Sequence, residues 1–449
     1  MNSDLTSAPI PLLVRRLAIP AGTGFFFNTM FNVVDTWYGG KLSTTALAAM
    51  SLSFPVFFIM LSVGMGISSS TTALVGSALG RGDRHETRMF ILQAFSFASL
   101  QAVLLTLAGL ALSPAVFRLM GASGDYLTLA TVYMQVIFAG CSFFLLNFAM
   151  SATLSAHGDT TSYRNFLIAG FFLNLLLDPW FMYGGFGIPS LGLAGVALST
   201  IAIQALGTAY LYRQLARTGA IGRFSLPELI PRRRYLFELC AQGFPAAMSM
   251  LTVSIGIFII TWFVGRFGTE AVAAYGIGTR IEQIALLPAM GLNVSTIALT
   301  AQNFGAAKID RIRSVLAVSL RYGTIISVIG TTAALLLGSE LIGIFTGDPA
   351  VISQGTRFLQ IESFVFPAYI LLYISTSVMQ GIQRPALALW IGLYRQIAAP
   401  IAVFYLLTAV FGSGISGIWW GIFGVTWSAA ILVVIVVTRM LKKMEEEHA

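Results

Sequence analysis

The sequence predicts an all-α integral membrane protein, with twelve transmembrane helices in two pseudo-symmetric six-helix bundles. Three observations carry that expectation. Only 10% of the 449 residues are charged and 57% are hydrophobic, whereas a soluble domain carries about 25% charged residues. Apolar runs of about 20 residues, enough to cross a hydrocarbon core of about 30 Å, occur twelve times. The second half of the chain also repeats the first.

The predicted spans cover approximately 12–38, 44–76, 89–112, 125–155, 163–184, 191–214, 237–266, 270–302, 311–337, 350–381, 386–410 and 415–440. Their orientation follows from the basic residues, which collect on the cytoplasmic side. Arg15 and Arg16, Arg81, Arg84 and Arg88, Arg164, the stretch Arg213 to Arg234, Lys308, Arg311 and Arg313, Arg384, and Arg439, Lys442 and Lys443 occupy both termini and every second connection. The alternate connections hold only Lys41, Arg118, Arg266 and Arg357. Both ends are therefore expected in the cytoplasm, and the net charge of +8 is a topological signal. It does not indicate a nucleic-acid partner, because no loop is long enough to form a binding domain. The run PRRRY at 231–235 reads as a cytoplasmic anchor near anionic lipid.

Several functions are disfavoured. The start, MNSDLTSAPIPLLVRRLAIP, lacks a signal-peptide layout. Cys141 and Cys240 lie in apolar surroundings and read as buried free thiols. His85, His157 and His448 are scattered, no HExxH occurs, and GGK at 39–41 lacks phosphate-loop spacing. The chain is not expected to be an enzyme or to hold a cofactor; a pump of this kind would run on an ion gradient.

The repeat appears at an offset of 225 residues. LSTTALAA (42–49) faces FGTEAVAA (267–274), SALGRGDRHETR (77–88) faces NFGAAKIDRIR (303–313), and MSATLSAHGDT (150–160) faces SVMQGIQRP (377–385). Further on the offset shrinks slightly, so Asp178-Pro179 faces Ala399-Pro400 and GLAG (192–195) faces GISG (414–417). The expected organisation is an N-terminal lobe at 1–215, a cytoplasmic linker at 216–236 and a C-terminal lobe at 237–449. Two parallel repeats about an axis along the membrane normal, with a cavity between them, are a secondary-transporter design.

The repeat breaks at the acids. Asp35, Asn174 and Asp178 face Ile260, Arg395 and Ala399, which points to a site confined to the first lobe. In span one, Asn28, Asn32 and Asp35 are spaced i, i+4, i+7, and in span five Asn174 and Asp178 are i, i+4. By helical rise Asp35 lies roughly 28 Å above Arg16 and Asp178 roughly 21 Å above Arg164, so both reach the outer half of the membrane. A charge there costs about 2.5–3.5 kcal/mol on insertion scales. Two adjacent carboxylates in low dielectric would not both stay ionised, which makes the pair a proton acceptor. With the Asn174 amide oxygen and a hydroxyl, for which Thr200 is the candidate, the same groups form a nest for a hard cation such as Na+. H+ and Na+ both remain open. The structural alternatives are an Asp178-Pro179 pair that restarts a broken helix and an Asp35 at an interfacial helix end.

In the second lobe, Arg280 and Glu282 in span eight and Arg395 in span eleven, about 17 Å above Arg384, fall near mid-membrane. Glu282 and Arg395 read either as a buried pair or, for Glu282, as a cavity group that meets a cationic substrate; Asn32 is a further cavity candidate. Glu362, roughly 33 Å above Arg384 by the same rise, is expected on a solvated outer rim.

The stretches VVDTWYGGKLSTTALAAMSLS, NLLLDPWFMYGGFGIPSLGLAGVALST and AYGIGTRIEQIALLPAMGLNVSTIALTAQNFGAAKIDR resemble the multidrug and toxic compound extrusion (MATE) family, and the resemblance covers essentially the whole chain. Within that family the chain resembles the DinF-like branch. This implies that Asp35, Asp178, Asn174 and Thr200 form the cation site of the N-terminal lobe. The NorM-like branch carries acids in spans seven and ten; here span seven has none within its membrane portion and span ten offers only the outlying Glu362, which counts against a second-lobe sodium site. The resemblance implies a monomeric antiporter of a bacterial inner membrane that exports organic, often cationic and aromatic, compounds in exchange for H+ or Na+. The competing expectation is a lipid-linked precursor flippase with the same repeat. That function calls for several basic residues around a pyrophosphate, and only Arg280 and Arg395 are available.

Overall fold

In hydrocarbon every backbone N–H and C=O must be paired inside the protein, so an apolar chain of this kind folds as helices. A computed structural model describes residues 5–185, 187–222 and 226–447. Among these, extended pairing is limited to an isolated bridge between Gly185 and Ile188.

The chain runs through α1 (Ile10–Leu42), α2 (Thr44–Gly80), α3 (Arg84–Leu119), α4 (Gly124–Ala139), α5 (Cys141–Ala156), α6 (Thr161–Tyr183) and α7 (Leu193–Arg217). It continues through α8 (Arg233–Val264), α9 (Thr269–Gly305), α10 (Ile309–Gly343), α11 (Pro349–Glu362), α12 (Phe366–Gly381), α13 (Pro385–Leu393), α14 (Ala399–Tyr405) and α15 (Gly414–Glu446). Side chains that accept from otherwise orphaned N–H groups mark several helix starts. Ser43 takes the Ala46 N–H, Asp83 that of Glu86 and Asp348 that of Ala350.

Three spans are not single helices. α4 and α5 form one span bent by 48° at Gly140; a Cβ on Gly140 would fall 2.5 Å from the Ile201 side chain of α7. The tenth span carries the 3-10 turn Ser363–Val365 between α11 and α12. The eleventh carries two π-helical turns, Tyr394–Ala398 and Leu406–Val410, around α14. Among the described residues, eleven helices or helix runs, plus the bent pair, are long and apolar enough to cross a membrane, as the twelve apolar runs predict.

The chain divides into two compact units. One comprises Thr23–Ala247, and the other joins the described residues up to Gly22 to those from Met248 onward. These borders differ from the sequence boundaries at 215 and 237, because the division falls inside α1 and inside α8. Unit 1 has one continuous core, in which Phe90, Phe117, Phe138 and Leu145 are almost fully buried. Unit 2 has three clusters, centred on Phe366 and Met379, on Leu13 and Leu299, and on Phe358 and Trp419. Cys141 is buried as expected, whereas Cys240 is exposed. An apolar neighbourhood in sequence does not decide which face of a helix a thiol occupies, and Cys240 lies on an exposed one.

Candidate functional site

In unit 1, α1, α6 and α7 meet around the asparagine and aspartate of NLLLDPW. α6 packs on α7 because glycine replaces bulk at the closest approach: a Cβ on Gly195 would fall 2.5 Å from the Phe181 carbonyl group. This brings the GLAGVALST stretch of α7 against Asp178. Pro179 has no N–H to give the Leu175 carbonyl one turn earlier. The Tyr38 hydroxyl of α1 donates to that oxygen at 3.1 Å, which repairs the freed backbone group and ties α1 to α6. Both helices continue past the acids, α6 to Tyr183 and α1 to Leu42. Asp178 therefore does not restart a helix, and Asp35 is not a helix end.

Asp178 and Asn174 are fully buried and Asp35 is 6% exposed. The Asn174 amide donates to Asp35 Oδ1 at 2.8 Å and to Asp178 Oδ1 at 2.9 Å. The two carboxyl groups are joined through the Asn174 amide and lie within electrostatic reach of each other. Thr200 donates weakly to Asp35 Oδ2, at 3.4 Å, and more closely to its own helix at Val196 O, 3.1 Å. A second hydroxyl partner is Ser199, which donates to Asp178 Oδ1. Sequence reading selected Thr200 and missed Ser199, its neighbour, because either hydroxyl reaches the α6 side of the helix. Tyr133 of α4, also missed, lies within electrostatic reach of both aspartates.

Two oxygens stand out. Asn174 Oδ1 and Asp178 Oδ2 are buried and accept no hydrogen bond. An unmet buried acceptor costs about 1–3 kcal/mol, and two adjacent carboxylates out of water cannot both remain charged without a counter-charge. The arrangement suits a shared proton or a monovalent cation held by carboxyl, amide and hydroxyl oxygens. It does not suit a transition metal: no group of three His, Cys, Asp or Glu side chains comes together among the described residues.

Asn32 and Asn28 do not join this site. Both are exposed, and Asn32 donates to the Asn28 carbonyl at 2.8 Å. At about 100° per residue, Asn32 lies about 60° around the helix from Asp35, and Asn28 is two turns away.

Unit 2 corrects a further expectation. Glu362 is not on a solvated rim but 1% exposed, with Oε1 accepting from the Tyr369 hydroxyl at 3.1 Å and Oε2 without a partner. The height estimate assumed one straight helix, whereas the 3-10 turn interrupts this span, and height does not determine which way a side chain faces. Glu282 is half-buried and within electrostatic reach of Glu362 and Arg395. Glu282 and Arg395 do not form an ion pair; the Arg395 guanidinium, carried by the π-helical turn, lies 5.2 Å from the Tyr369 ring centre. Arg280 is exposed.

Comparisons with known proteins agree with this architecture. The chain is 26% identical over 421 residues to an FAD transporter of Shewanella oneidensis, covering 92% of this chain and 90% of that protein. It is 23% identical over 418 residues to the multidrug export protein MepA of Staphylococcus aureus, covering 92% and 90%. Its fold matches that of a multidrug resistance MATE family transporter of the MOP superfamily with a TM-score of 0.91, at 21% identity and 99% coverage of both chains. The MatE family model matches twice, at residues 20–180 and 245–405, which is the repeat at its offset of 225. Twelve apolar spans, a duplicated six-span unit and two family matches across most of the chain establish that this protein is a multi-pass membrane protein of the MATE family of transporters.

Proposed function

We propose that this protein is a secondary active efflux antiporter of a bacterial inner membrane, with both termini cytoplasmic, which exports organic, often cationic, compounds in exchange for H+ or Na+ entering at Asp35 and Asp178. The observation that carries this reading is the buried Asp35–Asn174–Asp178 constellation, with two oxygens left unmet. The joint burial of the two carboxyls favours a proton as the coupling ion, because one proton removes one of two adjacent charges that are costly to hold out of water. A ligand shifts a conformational equilibrium only through its differential affinity for the two states. Cation and drug therefore compete by favouring different states of unit 1, with no further energy source required.

The test is efflux of a fluorescent organic cation from sealed proteoliposomes under a pure pH gradient or a pure sodium gradient. Asp35→Asn and Asp178→Asn should each abolish gradient-driven efflux while leaving expression and the folded helical signal intact. Full efflux by either variant would refute the assignment. A second reading, export of an anionic dinucleotide, is favoured by the FAD transporter among the relatives and by the half-buried Arg395. It predicts saturable flavin-nucleotide transport that Arg395→Ala removes.

A further inference from the structure

The last turns of α10 and the first turns of α11, both in unit 2, frame a cavity of about 690 Å³. That volume falls within the roughly 300–1,000 Å³ of ligand pockets. Ser339 lines it from α10, and Ser353, Thr356, Arg357 and Gln360 line it from α11. These four are spaced i, i+3, i+4 and i+7, which places them on one face of the helix. Among the described residues the side chains of Ser339, Ser353, Arg357 and Gln360 enter no hydrogen bond or ion pair, and the buried Thr356 hydroxyl has no partner either. Other arginines of this unit are engaged: Arg313 pairs with Glu445 at 2.6 Å, and Arg266 lies 3.9 Å from the Trp262 ring centre. No carboxylate lines the cavity, and Asp348, just before α11, accepts from the Ala350 N–H. The cavity is thus a cluster of uncommitted donors around one guanidinium.

Its surroundings decide what kind of molecule fits. Along α10, Ile325, Ile329 and Leu336 are each more than half exposed, and Ser339 continues the same helical face. Phe364, four residues past Gln360, is also more than half exposed. An exposed apolar face on a span this hydrophobic is solvated by lipid tails. Along α10 Ser339 lies roughly 46 Å from Lys308. That is beyond a hydrocarbon core of about 30 Å and level with the headgroup layer, which brings the bilayer to about 40–45 Å. The polar cavity therefore sits at headgroup depth, and the apolar face beneath it sits at the depth of acyl chains. A soluble anion would use the first and leave the second idle. A guanidinium takes a phosphate bidentately, and with no carboxylate in the cavity there is no partner for the cation of a zwitterionic headgroup.

We propose that this cavity binds the headgroup of an anionic phospholipid, with the phosphate on Arg357, the remaining headgroup oxygens on Ser339, Ser353, Thr356 and Gln360, and an acyl chain along Ile329 and Leu336. The inference depends on neither the coupling ion nor the transported compound. Its test is photo-crosslinking of the full chain in lipid nanodiscs, using phosphatidylglycerol with a diazirine near the top of one acyl chain and mapping the adducts by mass spectrometry. Adducts should collect at residues 335–345 and 352–364, and the same diazirine on phosphatidylcholine should give several-fold fewer there. Arg357→Ala should lower the phosphatidylglycerol adducts at these two segments by about tenfold and leave those at residues 231–244 unchanged. Arg118→Ala, an exposed arginine of α3 outside the cavity, should change neither. Equal labelling by the two lipids, or undiminished labelling in folded Arg357→Ala, overturns the proposal. So does an equal fall in Arg118→Ala, which would reduce the effect to bulk charge. Displacement of the label by millimolar glycerol 3-phosphate also overturns it, because the occupant would then be a soluble phosphate.

Discussion

Tyr38 and Pro179 should be energetically coupled, because one compensates for the other. Pro179 leaves the Leu175 carbonyl without its helical donor, and the Tyr38 hydroxyl supplies one at 3.1 Å. In Tyr38→Phe that carbonyl loses its side-chain donor and has no backbone N–H to fall back on. Interhelical hydrogen bonds within membranes average about 0.6 kcal/mol and reach about 1.7 kcal/mol, because the alternative state usually finds another partner. Here Pro179 removes the nearest alternative, which places Tyr38→Phe near the upper end, at about 1–2 kcal/mol. In a Pro179→Ala background the backbone N–H restored by the substitution can take the Leu175 carbonyl, so the same Tyr38→Phe change should cost about 0.5 kcal/mol or less. The assay is a double-mutant cycle on reversible unfolding in mixed micelles, with a coupling of about 1 kcal/mol expected for this contact pair. Equal costs in both backgrounds would refute the idea that Tyr38 repairs the proline-freed backbone.

The other expectations follow from equally local contacts. Asn174→Ala removes both bonds that bridge the aspartates, each worth about 1.5–3 kcal/mol if the acceptor is charged; gradient-driven efflux should fall by about 10²-fold or more, and a rate within twofold of wild type would show that the bridge is not used. Gly195→Ala places a methyl group 2.5 Å from the Phe181 carbonyl group and should destabilise by about 1–3 kcal/mol. Gly276→Ala in α9, with nothing within 4 Å of its Cβ position, should be neutral or stabilising by about 0.5–1 kcal/mol; thermal unfolding of the two variants checks both. Glu362→Ala strips the Tyr369 hydroxyl of its acceptor and should cost about 1–3 kcal/mol, whereas exposed Glu340→Ala stays within about 0.5 kcal/mol. Equal small effects would return Glu362 to the rim.

Span number, the duplicated six-span plan and the two aspartates were legible in the sequence because each rests on a one-dimensional signal. Apolar length sets a crossing, a fixed offset sets a repeat, and a carboxyl inside a long apolar run is too costly to go unnoticed. The same reading placed Glu362 by height along a helix, and height carries no information about facing. Only the tertiary structure decided that α11 turns this carboxyl inward onto Tyr369. It also decided that Ser199 as well as Thr200 donates to the acids, that Asn32 is exposed and outside the site, and that Tyr38 fills the gap left by Pro179. These are matters of helix rotation and of approach between different helices, set in part by where glycine lets backbones meet, and no pattern along the chain records them.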